Sequence, residues 1–146
     1  MPTDELLASA DHVSLHAPLN ADTRHLIGTD ALSVVRPNAI VVNTSRGALV
    51  DESALLRAIA EGRIGAAGLD VTEHEPLQAD DPLLAFEKVV LTAHSAASST
   101  TAAGELHRRS IDAVVDILAG RRPSSTVNPA VFASEKLRAR RLRLSK

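Results

Sequence analysis

Apolar and polar positions follow two rhythms along this chain. Residues 39–42 (AIVV) form an uncharged run rich in β-branched side chains, the pattern of a strand buried on both faces. A helix start follows: Asp51 as N-cap, Glu52 in the first turn, Leu55 and Ile59 on one face, and Gly62 as the stop. Residues 12–16 (HVSLH) alternate as a strand, and Pro18 ends it because proline cannot continue a central strand. Residues 65–71 (GAAGLDV) read as a strand whose small residues allow close approach. Residues 88–92 (KVVLT) read as another buried strand, ending before His94.

Helical segments separate these strands. One ends over residues 5–10, and a short one covers 31–35, capped by Thr29 or Asp30. Arg36-Pro37-Asn38 is a turn, and residues 72–82 form a loop with two prolines. Ser99 or Thr100 caps a long helix reaching Leu118, with Ile111, Val114, Val115 and Leu118 as one buried stripe and Gly120 as the stop. Four strands alternating with helices predict an α/β fold around a parallel sheet, since like-directed strands need crossover connections. A helix ahead of the first strand suggests part of a larger sheet. Residues 121–129 form a turn-rich linker, and residues 134–146 carry six basic residues and one acidic.

Composition narrows the picture. The chain has 146 residues, 45% hydrophobic and 23% charged, with a formal net charge of −2. These values fit about one ordinary globular domain and give no global attraction to nucleic acid or to an anionic membrane. The absence of cysteine excludes disulfides, thiolate metal ligands and Cys catalysis. Phe86 and Phe132 are the only aromatics, so the core is aliphatic and stacking platforms for bases are missing. No apolar run reaches the length of a membrane span, and the acidic N-terminus lacks a signal pattern. The expectation is a cytoplasmic protein whose basic tail is a solvated end rather than a nucleic-acid site.

Three charged or titratable groups follow consecutive strands: Arg46, the Glu73-His74-Glu75 loop, and His94. In a parallel sheet all of them face one edge, the edge at which such sheets bind ligands. Arg46 there can grip a carboxylate with two parallel hydrogen bonds. A histidine beside a carboxylate can serve as general acid–base near neutral pH. Singly, each residue has an ordinary surface reading; their convergence points to an active site.

The segments VSLHAPLNADTRHLI (13–27), IVVNTSRGALVDESALLRAIAEGRIGAAGLDVTEHEP (40–76), PLL (82–84), VVLTAHSA (89–96) and TVNP (126–129) carry a specific resemblance. The chain resembles the C-terminal part of the NAD-binding domain of the D-isomer-specific 2-hydroxyacid dehydrogenases, the family of D-3-phosphoglycerate dehydrogenase and glyoxylate/hydroxypyruvate reductase. The resemblance implies a partial Rossmann-like doubly wound parallel sheet with flanking helices. It implies that residues 5–120 are the C-terminal portion of the NAD(P)-binding domain and 121–146 a linker and basic tail. It also implies an NAD(P)-dependent oxidoreductase acting on the CH–OH group of D-2-hydroxy acids, with NAD as cofactor (NADP as the variant) and a small 2-keto acid as substrate.

The resemblance carries roles over residue by residue. Arg46 matches the arginine that holds the substrate carboxylate and polarises the carbonyl. Glu75 matches the partner of the catalytic histidine, with Glu73 as its nearby rival. His94 matches the acid–base that gives a proton to the carbonyl oxygen. Asp70 matches the residue that binds the nicotinamide carboxamide. His16, Pro18, Thr23 and Thr44 match positions lining the cofactor, which Arg46 and His94 also line. No metal ligand set is implied. Ala93 stands where the family usually has proline, and Thr72 where an aromatic is common.

No G-x-G-x-x-G occurs in the 146 residues, nor the acidic residue that follows it to bind ribose. The expectation is therefore a piece of such a dehydrogenase, weak or inactive alone, with a homodimer or a complementing N-terminal half as partner. The alternative expectation is a non-catalytic remnant or interaction module that pairs with another polypeptide.

Overall fold

In the computed structural model, which describes residues 2–134, four short strands lie side by side: β1 (His12–Leu15), β2 (Ile40–Asn43), β3 (Ala66–Leu69) and β4 (Val89–Leu91). They run in the order β1-β2-β3-β4 and every neighbouring pair is parallel, as the strand–helix alternation predicts. Leu15, Asn43, Leu69 and Leu91 fall in one register row across the sheet. The residues just beyond that row therefore emerge together at the carboxyl edge.

The chain divides into two units, 1–97 and 98–146. In the first, the sheet is covered by α1 (Thr3–Ser9), α2 (Thr29–Val34) and α3 (Glu52–Ala60). Leu7, Leu32, Leu55 and Ile59 from these helices share one core with Val13, Leu15, Val41, Ala67 and Leu69 from the strands. α3 begins as its sequence predicts: the Asp51 carboxylate accepts the Ala54 N–H at 2.9 Å. Gly62, at φ 69°, takes the left-handed conformation that ends the helix at low cost.

Several expectations are corrected here. β2 is not buried on both faces. Val41 and Asn43 are buried and Ile40 and Val42 only partly so, because α1–α3 supply the core against one face. β4 is not a buried strand either: among the described residues it has a neighbouring strand on one side only, and Val90 is 66% exposed. An apolar run records preference for cover, not its presence. α2 begins at Thr29, after Gly28, with no side-chain cap. Gly65 does meet a close approach, but by backbone: a Cβ there would lie 2.5 Å from the Asn38 carbonyl oxygen.

The second unit contains α4 (Thr100–Leu118), capped by the Ser99 hydroxyl, which accepts the Ala102 N–H at 3.0 Å. The expected buried stripe is exposed instead, and Leu118 is 80% accessible. Helical periodicity identified an amphipathic face, but no described residue of this unit covers it. The basic stretch over 135–146 lies outside the described residues. Among them, no helix is long and apolar enough to cross a membrane.

Candidate active site at the carboxyl edge of the sheet

Arg46 is placed by the residue that ends β2. Asn43 is fully buried, and its amide Nδ2 donates to the Arg46 carbonyl at 2.8 Å. Its Oδ1 accepts the Ser45 N–H at 3.1 Å, while the Ser45 hydroxyl donates to the Leu15 carbonyl at 2.6 Å. The 44–46 loop is thus tied both to its own strand and to the end of β1. The Arg46 guanidinium donates through Nη1 to the Ser45 carbonyl at 2.6 Å and has no carboxylate partner among the described residues.

Gly47 explains how two loops meet. A Cβ at this position would lie 1.9 Å from the Thr72 carbonyl oxygen and 2.5 Å from the Glu73 nitrogen. The loop after β3 therefore rests on the Gly47 backbone. Glycine is required here by contact rather than by conformation.

Glu75 sits on that loop. Its Oε1 accepts the Thr72 N–H at 3.1 Å, and its Oε2 lies 2.8 Å from Nδ1 of His94. The hydrogen bond to His94, helped by the Thr72 N–H, holds the Glu75 carboxyl below the usual glutamate range. An ionised carboxylate only accepts, so Nδ1 carries the proton and Nε2 is left for a ligand.

His94 itself is held in an uncommon conformation. Its φ is 51°, in the left-handed region that a non-glycine residue adopts only when its surroundings insist. Asp70 supplies that insistence. The Asp70 carbonyl accepts the His94 N–H at 2.8 Å, and its carboxylate accepts the Ser95 N–H at 2.8 Å, the Ala96 N–H at 2.9 Å and the Thr92 hydroxyl. Asp70 is 5% exposed. The Thr92 hydroxyl, then the Ala96 and Ser95 N–H groups, hold its carboxyl below the usual range.

Arg46, Glu75 and His94 line one cavity of about 220 Å³, together with Leu19, Gly47 and Thr72. A second, larger cavity of about 570 Å³ adjoins it, sharing Thr72, Glu75 and His94 and walled also by Leu77, Leu84 and Leu91. The structure therefore brings the three sequence candidates for chemistry to one place. Thr72 and Ala93, the two departures from the family pattern, both line the larger cavity.

The remaining candidates are less tightly grouped. His16 and Thr44 are exposed beyond the ends of β1 and β2, and Nε2 of His16 lies 2.9 Å from the Ser14 hydroxyl. The Thr23 hydroxyl donates to the Pro18 carbonyl at 2.6 Å and accepts the Asn20 N–H at 2.9 Å, so both Pro18 and Thr23 build the 18–23 turn. Glu73, the rival of Glu75, lines the same cavity, but its carboxylate bonds His25 and Arg24 and not His94. Sequence reasoning missed Asn43, Thr92 and His25. A polar residue closing an apolar strand was the available signal for Asn43 and Thr92. His25 has a φ of 54°, which left no trace in the sequence pattern. Among the described residues, no cluster of His, Cys, Asp or Glu is placed to hold a metal ion.

Residues 1–96 match the family model described as D-isomer specific 2-hydroxyacid dehydrogenase, NAD binding domain. The chain is 43% identical over 131 residues to the glyoxylate reductase of Korarchaeum cryptofilum, covering 90% of this chain and 40% of that protein. It is 41% identical over 126 residues to the glyoxylate/hydroxypyruvate reductase B of Salmonella paratyphi B, covering 86% of this chain and 39% of that one. The crystal structure of D-lactate dehydrogenase with NAD+ from Lactobacillus jensenii superposes with a TM-score of 0.80 at 32% identity, over 87% of this chain and 42% of the other. The chain thus spans about two fifths of the length of these relatives.

Proposed function

The chain belongs to the D-isomer-specific 2-hydroxyacid dehydrogenase family, and on that premise we propose that it carries the acid–base and anion-holding part of an NAD(P)-dependent oxidoreductase acting on D-2-hydroxy acids and their 2-keto counterparts. The observation that carries this reading is the Nδ1–Glu75 bond at 2.8 Å, which leaves Nε2 of His94 unused beside Arg46 in one cavity.

In this reading the Arg46 fork holds the substrate carboxylate through the N–H groups not used on Ser45. Glu75 orients the imidazole by accepting its Nδ1–H, which turns Nε2 toward the substrate. His94 gives the Nε2 proton to the carbonyl oxygen during reduction. Its side chain is 55% exposed, so it regains a proton from solvent. A bound nicotinamide cofactor supplies the hydride that the carbonyl carbon receives.

The residues present fit the nicotinamide end of such a cofactor. Oδ1 of Asp70 takes two donors and Oδ2 one, which leaves one acceptor position on Oδ2 for a carboxamide N–H. His16 and Thr44 stand exposed at the same edge, while Pro18 and Thr23 shape the adjoining turn. The 146 residues contain no glycine-rich turn to receive the pyrophosphate, so that task falls to residues outside them. Glyoxylate, hydroxypyruvate and phosphohydroxypyruvate are the substrates this reading favours. The test is a chimera in which the chain follows the N-terminal portion of a relative. Arg46→Ala should raise KM more than it lowers kcat, and Glu75→Gln should lower kcat.

A second reading, a module that pairs with another polypeptide without catalysis, draws on one observation. The outer edge of β1 has no neighbouring strand among the described residues, and such edges readily accept one. A chimera that folds and binds NADH but turns over nothing would favour it.

A further inference from the structure

Glu73 differs from its neighbour Glu75 in every contact. Its side chain is 15% exposed, while that of Glu75 is 40% exposed. Oε2 of Glu73 accepts from Arg24 Nη2 at 3.3 Å and lies 3.1 Å from His25 Nε2. Its Oε1 accepts the Glu52 N–H at 3.3 Å at the start of α3, and its own N–H donates back to Oε1 of Glu52. The two glutamates thus bind each other's main chain reciprocally. Burial, opposed by that returned bond, raises the Glu52 carboxyl above the usual range, which marks a contact made under partial desolvation. Beneath the same loop, Gly47 admits the Thr72–Glu73 backbone.

These contacts hold both sides of a short loop. Residue 73 is fixed to α3 and to the 24–25 segment, and the 25–27 segment is itself pinned to 48–50, through the His25 N–H to the Ala48 carbonyl at 2.8 Å and the Ile27 N–H to the Leu49 carbonyl at 3.0 Å. Two residues later the chain presents Glu75 to His94. We propose that Glu73 is a positioning residue: clasped by Glu52, His25 and Arg24, it fixes the loop from which Glu75 reaches His94. The inference rests on the reading of Glu75 and His94 as the acid–base pair, but it concerns how that pair is held. A pair that exists without turnover would still need the clasp.

The test follows the Glu75 carboxyl by carbon NMR during a pH titration of the full 146-residue chain, with a urea melt of each variant beside it. In Glu73→Ala the Glu75 midpoint should rise toward the ordinary glutamate value of about 4.3. In Glu73→Gln, which keeps an acceptor for the Glu52 N–H, it should stay closer to that of the parent chain. A purely structural role would shift the urea midpoint and leave the Glu75 titration of the folded protein where it was. That result, or an equal shift in the alanine and glutamine variants, would overturn the proposal. If Glu73→Ala does not fold, His25→Ala removes one arm of the clasp. A smaller upward shift of Glu75 would then support the proposal and no shift would overturn it. Because nothing here reads turnover, a catalytically silent chimera leaves this result intact.

Discussion

Asp70 grips the turn around His94 from both ends: its carbonyl accepts the His94 N–H at 2.8 Å, and its carboxylate accepts the next two N–H groups, of Ser95 and Ala96, at 2.8 and 2.9 Å. Asn at this position keeps one carboxyl-like oxygen but turns an N–H toward a backbone N–H. Asp70→Asn is therefore expected to speed amide exchange at Ser95 and Ala96 while exchange in β1 and β2 stays unchanged. Equal exchange in both proteins would show that the turn holds itself.

The Glu75 carboxyl is predicted to titrate below the ordinary glutamate range, and His94→Ala should bring it back up, since the His94 bond is the main cause of the lowering. A group whose folded value is depressed stabilises the fold above its unfolded value, and that contribution is lost as pH falls through the folded value. The pair's contribution should therefore be complete near neutral pH and vanish in the acid range below about 4.3. The side chains are 55% and 40% exposed, so the effect on overall stability is small and the carboxyl titration is the measurement to use.

Gly47→Ala is expected to destabilise the first unit by on the order of 1–3 kcal/mol, the usual cost of forcing an extra group into a filled site. The added Cβ would strike the Thr72 carbonyl and displace the loop that carries Glu75. Gly104→Ala provides the contrast. It lies in α4 with nothing within 4 Å of a new Cβ, so it should stabilise that helix by about 0.5–1 kcal/mol. Urea melts monitored separately in the two units check both signs.

The sequence showed the parallel strands clearly because each carries an apolar run closed by a turn or a polar residue. It showed the Asp51, Ser99, Gly62 and Gly120 helix signals for the same local reason. It did not show which faces are covered. Val42, Val90 and the α4 stripe ask for burial by composition, yet cover depends on what packs there, which is not written locally. The Arg46, Glu75 and His94 positions were legible through a family motif and through strand-end spacing. The supports beneath them were not. Asn43, Asp70 as a turn clamp, and the Glu52–Glu73 clasp are contacts between segments about 20 or more residues apart or side chains turned inward, and no periodicity announces them.

Without a glycine-rich turn among its 146 residues, this chain is expected to bind NADH only weakly by itself. In the proposed reading, the contacts offered at the carboxyl edge serve the nicotinamide end alone. Isothermal titration of the chain with NADH should show little saturable heat, and micromolar binding would contradict the prediction.

The most direct measurement of the central claim is turnover by a chimera joining this chain to the N-terminal portion of a relative. Hydride and proton donors must meet at one carbonyl, and proximity supplies much of the rate. The account predicts NADH-dependent reduction of glyoxylate or hydroxypyruvate, with His94→Ala lowering the rate by on the order of 10²–10⁴-fold, the usual loss for a missing acid–base group. A chimera that folds, binds NADH and reduces the keto acid equally well with and without His94, or not at all, would contradict it.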